Sequence, residues 1–274
     1  GDLTVSDSAG GGSITSTVTN DGTFNMTGGT ITTTTGSGII NNGTLNLRGG
    51  KIDSQNGRGV NNASANSLFN MFGGYVIGKV GIKMFAGILN LLGGRVHGKG
   101  TAPINVVENE LADDGSVTYN DEAEETNSGI GIDVAPTGNV EVTVGDKDNK
   151  GDIQVSGETS ALDVGDADSG TTGTGTSTIN LYDGKYTAGT ADDNGNVTTT
   201  NSTGSAITYS GTNQGNKLTV DGAILESKVD VTTSASVGNS DTATDGTANN
   251  IVIKSAAVSS TAKEAMTATE GSTT

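Results

Sequence analysis

The sequence predicts an all-β fold, a right-handed parallel β-helix (β-solenoid) with about three short strands in each coil of about 20–24 residues. Three observations predict it. A phrase of the form Leu/Phe-Asn-Leu/Met-x-Gly-Gly-x-Ile/Val recurs four times in the first hundred residues. A second stroke, a small residue followed by an aliphatic one, falls between the copies. Finally, 44 of 274 residues are Gly and only 31% are apolar, against about 45–50% in ordinary globular domains. A single compact core is thus excluded, whereas a thin column is sufficient.

The four copies are Phe24–Ile31, Leu45–Ile52, Phe69–Val76 and Leu89–Val96, with Gly pairs beginning at 28, 49, 73 and 93. In each copy apolar residues alternate with Asn. Phe24 and Met26 therefore face one way and Asn25 the other, the period of a strand. The Ile or Val after each Gly pair opens a second strand. A third is marked by Gly38-Ile39, Gly59-Val60, Gly81-Ile82, Gly131-Ile132 and Ala206-Ile207. The Gly pairs supply corners that need positive φ, and so many glycines disfavour helix by about 1 kcal/mol each relative to Ala. Stacking at about 4.8 Å puts Phe24, Leu45, Phe69 and Leu89 in one ladder and Met26, Leu47, Met71 and Leu91 in the next. Looser copies extend the pattern: Leu3-Thr4-Val5 before it, then Ile179–Tyr186 and Leu218–Ile224, with Ile224 in the final apolar place. Val140–Val144 and Ile251–Ile253 are weaker echoes.

The chain is read as one domain. Residues 1–104 are regular coils, 105–128 an acidic loop excursion, 129–260 coils interrupted by polar insertions at 166–177, 190–203 and 238–249, and 261–274 a cap or tail, with a short helix allowed at Ala262–Met266. The net charge is −17, and it is uneven. Residues 1–100 carry seven Lys or Arg against four Asp, whereas residues 101–274 carry seven Lys against 27 Asp or Glu. Such acidity disfavours nucleic acid and anionic membrane as partners. No apolar run approaches the ~20 residues of a membrane span, and the absence of Cys leaves the redox compartment open. The chain opens at Gly1 without a basic and apolar leader, so any targeting signal is expected outside this segment.

The Leu-Asn-Leu-x-Gly-Gly-x-Ile phrase of residues 1–100 resembles the repeats of large bacterial surface exoproteins with parallel β-helices, the autotransporter-passenger and repeat-rich adhesin type. The likeness weakens over 101–260. It implies a secreted or cell-surface location.

Chemistry is sparse. The one His, His97, follows the core position Val96, so its ring is expected outward on a corner as a surface histidine, with no triad around it. The three arginines, Arg48, Arg58 and Arg95, lie in the acid-poor first third, away from most carboxylates. That separation argues against a lyase or glycosidase site. Asp146-Lys147-Asp148-Asn149-Lys150-Gly151-Asp152 has the alternating oxygens of a calcium loop but fails the EF-hand pattern at Lys150 and Gly157. Asp146, Asp148 and Asp152 are thus weak calcium candidates, and no other cofactor is expected. Asn25, Asn46, Asn70 and Asn90 form a regular outer-face ladder, suited to amide hydrogen bonding along the stack or to a repetitive ligand. An ice-binding Thr array is disfavoured, because residues 51–100 contain no Thr. The expected function is a non-catalytic extracellular rod, an adhesin or stalk segment that mediates attachment to a glycan or protein, or self-association. The alternatives are a carbohydrate-active β-helix enzyme and a self-assembling fibre subunit.

Overall fold

The structure is a computed structural model that describes residues 2–6, 12–100, 128–165, 175–211, 213, 215–231, 235, 237–238 and 250–258. The fold is a parallel β-solenoid. Among the described residues there is no helix, and every strand pairing but one is parallel. The acidic excursion lies outside the described residues, apart from Ser128. So do residues 166–174 and 239–249 of two insertions and the whole of the tail at 261–274.

Each coil contributes one strand to each of three walls. The first wall stacks Asp2–Val5, Thr23–Met26, Thr44–Leu47, Leu68–Met71, Gly87–Leu91, Val140–Val144, Ser177–Leu181 and the leading halves of Lys217–Leu225 and Ile251–Val258 over nine successive levels, and the short strand Val237–Gly238 also pairs with the last of them. The second wall runs from Ser13–Ile14 through Thr30–Thr33, Lys51–Ser54, Tyr75–Gly78, Gly94–Gly98 and Ile153–Gly157 to Lys185–Ala191. It then meets the trailing halves of Lys217–Leu225 and Ile251–Val258. Those two strands cross the corner unbroken, which joins the first two walls into one 18-stranded sheet. The third wall is an eight-stranded sheet from Val18–Asn20 to Lys228–Val231.

The core is the expected column. Phe24, Leu45, Phe69, Leu89, Val142, Ile179 and Leu218 are in register, as are Met26, Leu47, Met71, Leu91, Val144, Leu181 and Val220, and all are buried. Ile31, Ile52, Val76, Val96 and Val155 line the second wall, and Ile39, Val60, Ile82, Ile132, Leu162 and Ile207 the third. In the later coils Tyr186 and Tyr209 take column places and are fully buried.

The Gly pair is explained by two different constraints. Gly50 has φ +89°, in the left-handed region. A Cβ on Gly49 would stand 2.7 Å from the Thr27 carbonyl oxygen of the coil below. The second glycine turns the chain and the first admits the next coil.

Two expectations are corrected. The last phrase does not place Ile224 inside. The inward place falls seven residues after the first apolar position, as Ile52 follows Leu45 and Tyr186 follows Ile179, so Leu225 rather than Ile224 pairs with Tyr186 and is buried while Ile224 is 43% exposed. The insertion at 190–203 is not merely a loop. Val197–Thr200 pairs antiparallel with the end of Lys185–Ala191, making a hairpin.

Candidate binding cleft

That hairpin forms one side of a cleft on the second wall. It folds back across the second wall toward earlier coils. A Cβ built at Gly195, near its tip, would lie 2.8 Å from Tyr75 Cε2 and 3.0 Å from Arg95 Cβ. Between the tip and the corner is a cleft of about 550 Å³. Its floor is the glycine corners Gly73-Gly74 and Gly93-Gly94 with Phe72 and Leu92, and its sides are Lys51, Tyr75, Arg95, Asp152, Asp193 and Asn194.

Sequence periodicity accounts for the floor. Position x before each Gly pair points outward and is occupied by Thr27, Arg48, Phe72 and Leu92 in successive coils. Phe72 and Leu92 are 39% and 38% exposed, large apolar side chains where the alternation calls for polar ones. The Arg48 guanidinium sits 4.2 Å from the Phe72 ring centroid, a cation–π contact that fixes the ring.

The polar sides are largely charge-matched. Lys51 pairs with Asp53 at 3.0 Å, Lys99 holds the other oxygen of Asp53 at 3.0 Å, and Arg95 reaches Asp152 at 3.4 Å. Burial pushes the Asp53 carboxyl up, but its bonds to Lys51 and Lys99 outweigh that and leave it below the ordinary carboxylate range. Tyr75 moves the other way. Burial, then the charges of Asp53, Asp192 and Asp193, raise its phenol far above the usual value, so it stays a neutral donor. The Tyr75 hydroxyl and Arg95 Nε are buried without a hydrogen-bond partner.

Arg95 thus belongs with acids from the later coils, contrary to the segregation read from the sequence. The distance along the chain is misleading: Gly94–Gly98 stacks directly on Ile153–Gly157, and Asp152 enters that strand beside Arg95. Carboxylates and an arginine therefore do converge. The signals that marked the cleft were Phe72 and Leu92 breaking the polar outer pattern.

His97 is a second correction. Its phase is outward as expected, yet it is only 2% exposed, so it is not a surface histidine. Its Nδ1 lies 2.9 Å from Ser156 Oγ. Burial, with a contribution from the Lys99 charge, lowers its pKa to about 4, which keeps the imidazole neutral near pH 7. Ser156 is fully buried, so a substrate carbonyl has no approach to this hydroxyl–imidazole pair.

The calcium candidates do not gather. Asp146 Oδ1 accepts the Asp148 backbone N–H at 2.8 Å in a local turn, while Asp152 faces Arg95. Among the described residues no three His, Asp or Glu side chains are grouped to hold a metal ion.

The outer asparagines form a hydrogen-bonded ladder. Asn46 Nδ2 donates to Asn25 Oδ1, Asn70 to Asn46 and Asn90 to Asn70, each at 2.9 Å. A second, buried ladder went unforeseen. At the inner end of the third wall Asn20 Nδ2 donates to Asn41 Oδ1 and Asn41 Nδ2 to Asn62 Oδ1, both at 2.8 Å. Asn62 Nδ2 closes the run on the Ala86 carbonyl at 3.2 Å. The next four positions in register are Met84, Val134, Val164 and Tyr209.

No protein family, curated protein or solved structure matches the chain.

Proposed function

We propose that the chain is a non-catalytic extracellular rod of a bacterial surface protein, an adhesin or stalk segment that mediates attachment to a glycan or protein or self-association. The observation that carries this reading is the unbroken register of the first wall over nine levels, from Asp2–Val5 to Ile251–Val258. At ~4.8 Å per level the column is roughly 40 Å long. Each coil contacts mainly its neighbours, so reach and stiffness come from few apolar residues, and an excursion such as the 189–200 hairpin projects without disturbing the column.

One observation favours a second reading, a carbohydrate-active enzyme: Arg95, Asp152 and Asp193 meet at one cleft. Against it, the phenol of Tyr75 is held protonated and so makes a poor general base. The test is incubation with pectins, alginates and glycosaminoglycans, with product detection by mass spectrometry, beside binding to the same polymers. Binding without turnover supports the rod. Turnover abolished by substituting Asp152 or Asp193 overturns it in favour of the enzyme.

A further inference from the structure

The cleft against the glycine corners has a composition that selects a ligand class. Its apolar part is small: Phe72 and Leu92, on successive coils, both more than a third exposed, with the Arg48 guanidinium over one side of the Phe72 ring. No side chain stands at residues 73, 74, 93 and 94, so a ligand can lie against main chain. Facing this platform are Asp193 and Asn194 at the hairpin tip and Asp152 on the opposite side, all exposed. A site with one apolar face and a surrounding set of directional hydrogen-bonding groups suits a molecule with the same division. A pyranose ring has it, with C–H bonds on one face and hydroxyls around the rim.

Charge narrows the class further. Lys51 is matched by Asp53 and Arg95 by Asp152, so no unopposed cation among the lining residues calls for an anionic ligand. Asp152 and Asp193 disfavour an added carboxylate or sulfate. At the back, the Tyr75 hydroxyl and Arg95 Nε are buried without partners. We propose that this cleft is a saccharide-binding subsite that takes a neutral pyranose ring, stacked on Phe72 and Leu92 and hydrogen-bonded by Asp152, Asp193 and Asn194. The proposal rests on the attachment reading above and names the ligand class that one site of the rod takes.

Isothermal titration and saturation-transfer NMR on the full chain, with cellotetraose, maltotetraose, mannotetraose and tetragalacturonate as probes, decide it. At least one neutral tetrasaccharide is expected to bind more tightly than tetragalacturonate. Phe72→Ala should weaken it tenfold or more, while Ile88→Ala, an exposed residue of the first wall, changes it less than twofold. Circular dichroism must show both variants folded, which the exposure of both residues favours. Binding insensitive to Phe72→Ala, equal losses in the two variants, preference for the uronate, or no binding by any probe would each overturn the subsite. Cleavage of the bound tetrasaccharide would instead overturn the non-catalytic reading and leave the subsite in place.

Discussion

Asn41 and Asn46 make the same kind of bond on opposite sides of the solenoid wall, so the same substitution isolates what burial does. Asn41 is fully buried. It accepts from Asn20, and it donates to Asn62 at 2.8 Å and to the Leu68 carbonyl at 3.2 Å. In Asn41→Ala the Asn20 amide keeps its bond to the Thr44 carbonyl, but Asn62 Oδ1 loses its donor and water has no path to it. Leaving one buried acceptor unpaired costs about 1–3 kcal/mol, and the truncated side chain leaves a small void besides. A loss of about 3 kcal/mol is expected. Asn46→Ala likewise removes two ladder bonds, to Asn25 and from Asn70, but those groups lie at the surface and can hydrate, so the loss should stay below about 1 kcal/mol. Urea denaturation followed by far-UV circular dichroism measures both. Equal losses, or a larger loss for Asn46, would refute the argument that the inner amides are sealed from water.

Three further outcomes follow from the same geometry. Leu47, buried in register between Met26 and Met71, should lose about 2–5 kcal/mol on Leu47→Ala, read from the same denaturation curves. Gly50→Ala should lower stability by about 1–3 kcal/mol, because φ is +89° and a Cβ would stand 2.6 Å from the Gly29 carbonyl oxygen; a neutral change would mean the corner is not built on that conformation. His97 makes stability pH-dependent. Its folded pKa of about 4 lies below the unfolded value near 6.5, so its contribution is full above about pH 6.5. It falls away as the pH drops toward 4, by roughly 3 kcal/mol across that window. His97→Gln should flatten that part of the stability–pH curve, and an unchanged slope would place the effect elsewhere.

The repeat was legible because its physics is local: alternation within a strand and a glycine corner recur at each copy, so Leu45 and Leu47 announce their side of the wall without knowledge of the next coil. What the sequence could not show depends on stacking between distant residues. Arg95 and Asp152, 57 residues apart along the chain, are neighbours only because Gly94–Gly98 pairs with Ile153–Gly157 on the next level. His97 has the outward phase that the pattern assigns, and its burial is a property of the packed wall. Asn20, Asn41 and Asn62 look like turn residues, and the amide bonds that let them face inward exist only once the three levels coincide. Leu225 rather than Ile224 lies inside because the seven-residue step from Leu45 to Ile52 also runs from Leu218 to Leu225, a spacing the sequence itself carries.

The three-walled stack has a mechanical consequence. In a solenoid the strands run around the axis, so the interstrand hydrogen bonds point along it. Tension applied to the two ends of the rod pulls directly on those bonds, and at any level three ladders share the load at once. A force that unwinds the chain from one terminus meets them in turn, coil by coil. The same column should therefore resist axial stretching far better than peeling, and its strength depends on where the rest of a molecule takes hold: across a whole coil face, or at a single strand end.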